Sequence, residues 1–217
     1  MILITGGAGY IGSHVAKQLL EQDRDIIVID NLSTGFQRTI DTLQKIKKFD
    51  FINLDLNDFE KVVEVFEKNN IETVIHFAAF SQVEESMQNP MKYYMNNTVN
   101  TTHLVKCASV YGVKKFIFSS TAATYGEPTL KGSVQTITEE FDTKPINPYG
   151  KSKLMSEQVI KDEAKANKDF KYIIFRYFNV AGADIHYERE ELLPRVGESH
   201  DPETHLVPIV VKTALGK

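Results

Sequence analysis

Apolar residues in this chain fall into short runs separated by longer stretches of mixed character. Residues 1–5 are apolar and end at glycines, while Ile11, Val15, Leu19 and Leu20 recur at the spacing of one helix face over 10–22. A β-branched run from Asp25 to Ile29 ends in Asp30, and Asn31-Leu32-Ser33-Thr34-Gly35 follows as a loop of turn residues. Further strands are predicted over Phe49–Leu54, Glu72–His76, Lys114–Ser119 and Tyr172–Arg176, with helices over about 57–69 and 91–111 between them. Residues 121–146 are polar and carry Gly and Pro, which predicts an irregular segment over the sheet edge. Asn147-Pro148 then offers an N-cap and a proline at the first helical position, for a helix reaching about Asn167. Strands alternating with helices imply parallel βαβ units, hence an α/β fold with a doubly wound parallel sheet and helices on both faces.

Composition narrows this picture only slightly. The 217 residues suffice for one α/β domain and part of a second, and 42% apolar with 25% charged residues is ordinary for a globular chain. A net charge of −4 gives no electrostatic case for nucleic acid or an anionic membrane. No run approaches the ~18 apolar residues of a membrane span. The amino terminus MILITGG lacks a basic start and a cleavage pattern, so it reads as a strand rather than a signal peptide. The single cysteine, Cys107, fits helix packing and a reducing, cytoplasmic setting. Nothing implies a metal.

Chemistry enters with the first turn. Gly7-x-Gly9-x-x-Gly12 lies between a strand and a helix, where glycines permit a tight turn, a close approach of backbone to a pyrophosphate and close helix–strand packing. The helix start would then aim free N–H groups at the phosphates. Asp30 ends the next strand, where a carboxylate accepts from ribose hydroxyls and repels the extra phosphate of NADP, so NAD is the expected dinucleotide; as a structural residue Asp30 would cap its loop. Asp55 and Leu56 reach the crevice rim near an adenine, although Asp55 also suits the N-cap of helix 57–69. His76 reads as a core histidine, and Ala78 and Ala79 leave room for a cofactor to cross the sheet edge.

Tyr149 and Lys153 are one helical turn apart on a shared face. A free phenol titrates near 10, and a nearby ammonium favours its anion, so Lys153 is expected to lower the Tyr149 pKa. Thr121, just past the fifth strand, is the best candidate for a third hydroxyl beside the substrate oxygen. Together with the glycine turn, these residues predict redox chemistry on a carbinol.

The stretches ITGGAGYIGSH (4–14), DNLSTG (30–35), HFAA (76–79), NPMKYYMNNTVNTTHLV (89–105), FIFSSTAATYGEP (116–128), PYGKSKLMSE (148–157), FRYFNVAGA (175–183) and HLVP (205–208) resemble the extended short-chain dehydrogenase/reductase superfamily, and within it the UDP-glucose (UDP-galactose) 4-epimerase family. The resemblance implies a Rossmann domain over 1–176 and the start of a substrate domain over 177–217. It implies NAD contacts from Gly6, Gly9, Tyr10, Ile11, Gly12, Asp30, Asn31, Ser33, Asp55, Leu56, Phe77, Ala78, Ala79, Asn96, Tyr149, Lys153, Tyr177 and Phe178. The catalytic set would be Thr121, Tyr149 and Lys153, and Asn179 would join Thr121 and Tyr149 on the sugar nucleotide. The implied reaction inverts C4 of a UDP-hexose through a 4-keto sugar, with Tyr149 as acid and base. A homodimer is implied, pairing helices near 91–111 and 148–167.

The family's chains are longer than this one, so the resemblance also implies that most of the substrate domain is missing and that turnover is impaired. Residues 207–215 form an apolar stripe expected to promote self-association. A 4,6-dehydratase on the same scaffold needs an Asp-Glu pair after the threonine, where this chain has Ala122-Ala123. Asp30 disfavours an NADP-linked keto-reductase. Epimerases of UDP-N-acetylglucosamine or a UDP-uronate, and a non-catalytic NAD-binding fragment, remain as alternatives.

Overall fold

The computed structural model describes residues 1–128, 136–188, 191–200, 203 and 206–216. His205, which opens the HLVP stretch, lies outside the described residues.

In chain order the elements are β1 (Ile2–Thr5), α1 (Tyr10–Glu21), β2 (Ile26–Asp30), α2 (Gln37–Leu43), β3 (Asp50–Asn53), α3 (Phe59–Lys68), β4 (Thr73–His76) and α4 (Val83–Gln88). There follow α5 (Pro90–Tyr93), a π-helical turn (Tyr94–Val99), α6 (Asn100–Val110), β5 (Lys115–Thr121) and a 3-10 turn (Ala122–Tyr125). Then come α7 (Pro148–Ala166), β6 (Lys171–Tyr177), β7 (Ala183–Glu188), β8 (Glu191–Gly197) and α8 (Leu206–Ala214). Six parallel strands lie in the order β3-β2-β1-β4-β5-β6, and β7 and β8 form an antiparallel hairpin. The expected doubly wound sheet is therefore present.

Alternation along the strands divides the core. Leu3, Ile27, Ile29, Val74, Phe116 and Phe118 face α3, α6 and α7 in one buried cluster. Ile4 and Val28, one position over, face α1 and α2 with Ala16, Leu20, Ile40 and Leu43 in another. All five residues of β2 are buried, as a central parallel strand covered on both faces requires. The hairpin seats on α1, where Val196 joins the second cluster and Lys17 meets Asp184 at 2.6 Å. Cover is incomplete beyond β4: Ile173 and Phe175 on β6 are exposed, and so is the apolar α8.

Helix starts follow local chemistry. Asn147 caps α7 by accepting from the Gly150 N–H at 2.8 Å, with Pro148 in the first turn. The cap of α3 is Asp58, not Asp55 as the sequence suggested, and Glu60 and Lys68 suit the helix dipole at its two ends. Asp55 instead accepts from Asn57 and Asn31 side chains. The helix expected over 91–111 is interrupted by the π turn. There the Asn97 carbonyl accepts from the Thr101 and Ser156 hydroxyls at 2.5 and 3.0 Å, which gives it partners outside the regular ladder.

His76 is a core histidine, held between the hydroxyls of Thr5 (2.6 Å) and Thr101 (2.9 Å). Burial, aided by the Lys153 charge, pushes its pKa down to about 3. An unfolded histidine titrates near ~6.5, so the unfolded chain binds this proton first. Stability is fully present above that pH and drains away as pH falls toward the folded value, by about 1.4 kcal/mol per unit. Urea unfolding at a series of pH values should show this slope in the parent and lose it in His76→Asn; equal slopes would contradict it. Among the described residues no helix is long and apolar enough to cross a membrane.

Candidate active site

The carboxyl ends of β1, β2, β4, β5 and β6 open into one crevice of about 890 Å³. Every residue nominated above for cofactor, chemistry or substrate lines it except Gly7, whose missing Cβ leaves room for Val28 in the core instead. This is where ligands enter open α/β sheets, and the volume falls within the usual range for small-molecule sites.

At one end the glycine turn joins β1 to α1. A Cβ on Gly12 would stand 2.2 Å from the Gly6 carbonyl oxygen, so glycine there lets the turn close on itself. Gly9 differs: its Cβ would meet only the Gly6 oxygen, at 3.4 Å, and what its bareness leaves free is the crevice. Gly9 caps α1 with no side-chain bond and no acidic residue in the first turn, which leaves the helix-start N–H groups available. Tyr10 donates its hydroxyl to the Gly182 carbonyl at 2.8 Å, tying the turn to the segment after β6.

Asp30 serves the fold as well as the crevice. Its carboxylate accepts from the Ala8 N–H at 3.0 Å and the Leu32 N–H at 2.8 Å, so it caps its loop and braces the glycine turn. Burial raises its pKa against the pull of those two bonds. Asn31 donates to Asp55 at 2.7 Å and accepts from the Ser33 N–H at 3.0 Å, fixing the rim. Burial works against ionisation of Asp55, but the bonds from Asn57 and Asn31 prevail and its pKa falls.

At the other end, α7 crosses the end of β5. Gly150 lies so close to the 3-10 turn that a Cβ would stand 2.6 Å from the Ala123 carbonyl oxygen, and this approach brings Tyr149 beside Thr121. Burial raises the Tyr149 pKa, opposed by a hydrogen bond with the Thr121 hydroxyl. Lys153 is buried, donates to the Ser119 carbonyl at 2.8 Å and sits 4.8 Å above the Phe118 ring. Burial pushes its pKa down to about 7, with the Glu157 charge opposing. The expectation of a phenol acidified by Lys153 is thus corrected: desolvation dominates both groups, and the bond favouring the phenolate comes from Thr121.

The sequence reading missed several supports. Asn97 holds Phe80 at both its N–H and its C=O, each at 3.0 Å, and donates to Ser152 at 3.1 Å. Glu85 accepts from Tyr93 at 2.8 Å and pairs with Lys92 on the crevice wall. Glu157 is buried beneath Lys153, and its place four residues further along the same face was a signal available from spacing. Cys107 is buried, its thiol pushed up to about 11. Among the described residues no His, Cys, Asp and Glu cluster could hold a metal.

Comparison with known proteins gives these features a context. Residues 2–205 match the NAD dependent epimerase/dehydratase family. The UDP-glucose 4-epimerase of Halalkalibacterium halodurans is 45% identical over 217 residues, covering 100% of this chain and 59% of that protein. The crystal structure of UDP-glucose 4-epimerase from Brucella ovis in complex with NAD superposes with a TM-score of 0.86 at 43% identity, over 99% of this chain and 61% of that one. The UDP-Glc/GlcNAc 4-epimerase of Campylobacter jejuni is 54% identical with a TM-score of 0.79, over 83% of this chain and 54% of that one. The chain spans about 60% of the length of the curated relatives it matches.

Proposed function

The chain belongs to the NAD dependent epimerase/dehydratase family, and from that premise we propose that it is an NAD-dependent epimerase inverting C4 of a UDP-hexose, UDP-glucose or UDP-galactose, through a transient 4-keto sugar. The observation that carries this is the meeting of Thr121, Tyr149 and Lys153 on the wall of the crevice that the glycine turn opens. The NAD-bound relative from Brucella ovis supports the cofactor.

The residues present fit a dinucleotide. Gly9 is bare toward the crevice and the start of α1 is uncapped, which suits a pyrophosphate. Asp30 and Asn31 would meet the adenosine ribose, Asp55 and Leu56 the adenine, and Lys153, Tyr177 and Phe178 the nicotinamide end. When bound, NAD supplies the acceptor and donor of the C4 hydride. Tyr149 takes the proton from the sugar O4 and returns it after the keto sugar turns over. Thr121 holds O4 by hydrogen bond, and Asn179 orients the nucleotide sugar. In this reading residues 1–176 bind NAD and 177–217 begin the substrate domain.

Ala122 and Ala123 line the crevice beside Thr121 and supply neither acid nor base, which disfavours dehydration. The likeness to the UDP-Glc/GlcNAc 4-epimerase of Campylobacter jejuni favours UDP-N-acetylglucosamine as a second substrate. A homodimer would bury the exposed Met87 of α4, Met91 of α5, Met95 of the π turn and Met155 of α7, and a reducing cytoplasm suits the single buried cysteine.

The test begins with calorimetric titration of the purified chain. NAD should bind, and NADP should bind at least ~10-fold more weakly because the buried Asp30 carboxylate repels its extra phosphate. Adding UDP-galactose should then yield UDP-glucose by NMR, with no net change in NAD. Failure to bind NAD, or tighter binding of NADP, would overturn the proposal.

A further inference from the structure

Tyr149, Lys153 and Glu157 form one stripe of α7 at successive turns, and three consecutive residues of β5 face them. Thr121 bonds Tyr149, the Ser119 carbonyl accepts from Lys153 at 2.8 Å, and the Ser120 hydroxyl donates to Glu157 at 2.6 Å. Only the first two pairs belong to the function proposed above. Glu157 is fully buried and held by three further donors: Arg176 Nε at 2.9 Å, Arg176 Nη2 at 2.7 Å and Lys161 Nζ at 3.2 Å. Arg176 comes from β6 and lies over the Tyr125 ring at 4.8 Å. One carboxylate therefore joins the helix to both β5 and β6.

We propose that Glu157 is a positioning residue that seats the Tyr149–Lys153 face of α7 on β5 and supplies the anion beneath Lys153. The surroundings of Lys153 favour this assignment. On α7 it has Tyr149 on one side and Glu157 on the other, with Lys161 beyond. From β4 it faces His76, which stays neutral at physiological pH. From β5 it meets only the Ser119 carbonyl and the Phe118 ring. Arg176 of β6 bonds Glu157 and lies over the ring of Tyr125 in the 3-10 turn, and Tyr93 meets the Tyr149 ring edge-on. Glu157 is the one charge that raises the Lys153 pKa, against a desolvation that lowers it. Without that carboxylate, the buried Lys153 would lose the anion beneath it, and Arg176 and the partly exposed Lys161 would lose their shared partner.

The inference rests on the proposed function for its importance, but it can be tested apart from it. Chain labelled with ¹³C at lysine Cε is titrated by NMR without NAD, the Lys153 signal being identified by its loss in Lys153→Met. In folded Glu157→Gln the Lys153 midpoint should drop by about one pH unit or more, a tenfold loss of protonation. In Glu157→Asp, which keeps the charge but withdraws it by one methylene, the drop should be smaller. An unchanged midpoint in Glu157→Gln overturns the proposal. Should that variant not fold, an unchanged midpoint in Glu157→Asp overturns it instead. NAD binding and epimerisation are measured on the parent in parallel. A shifted midpoint in a chain that neither binds NAD nor epimerises would sink the proposed function alone.

Discussion

Tyr149→Phe is expected to lower the rate of UDP-galactose epimerisation by ~100- to 10,000-fold, the usual worth of a positioned acid–base group. NAD binding and the melting temperature should stay at parental values. The reason lies in what the hydroxyl touches. The ring keeps its edge contact with Tyr93, and the Thr121 hydroxyl, which loses Tyr149 as its acceptor, still accepts from the Ala123 N–H at 3.1 Å and faces the crevice, where water can take its proton. Only the proton path is lost. In the parent the rate should climb with pH through neutrality, because burial holds the phenol above its ordinary pKa and only the ionised form takes a proton. A Phe variant within threefold of the parent would place proton transfer on another group.

Gly12→Ala should be the most damaging change to the cofactor end. The new Cβ would stand 2.2 Å from the Gly6 oxygen and 2.9 Å from Gly6 C and Gly7 Cα. These are backbone atoms and cannot swing aside, so the turn must open. Stability should fall by about 3 kcal/mol or more, and NAD affinity by more than ~100-fold. Gly9→Ala makes the contrast: its fold should melt normally, since the Cβ finds space, while NAD affinity still drops. Thermal melts with NAD titrations of both variants decide the matter. A Gly12→Ala chain with parental affinity would show that the turn does not govern the site.

How far the sequence led can be argued element by element. The six strands of the large sheet were readable because each is an apolar run bounded by turn residues. The start of α7 was readable to the residue, because Asn147-Pro148 carries its own cap chemistry. α2 and α4 were not, being seven and six residues long and without a side-chain cap. The β7–β8 hairpin escaped although Ala183–Glu188 alternates, because its partner Glu191–Gly197 does not and carries Pro194. The π turn could not be read locally, since Ser156, one of the residues that bonds its Asn97 carbonyl, lies 59 positions away. The site divides in the same way. Spacing gave Tyr149 and Lys153 and could have given Glu157, whereas the burial by β4 and β5 that sets their ionisation is announced by no neighbouring residue. The cap that also suited Asp55 falls to Asp58, an equally suitable residue three positions later.

β1 lies between β2 and β4, and its last residue, Thr5, bonds His76 across 71 positions of chain. During synthesis at ~5–20 residues per second, roughly 4–14 s pass between the emergence of one partner and the other. Over that interval the growing polypeptide offers an open hydrogen-bonding edge at what becomes the middle of the sheet. Chaperone demand on the ribosome should therefore peak before β4 emerges and fall once it docks.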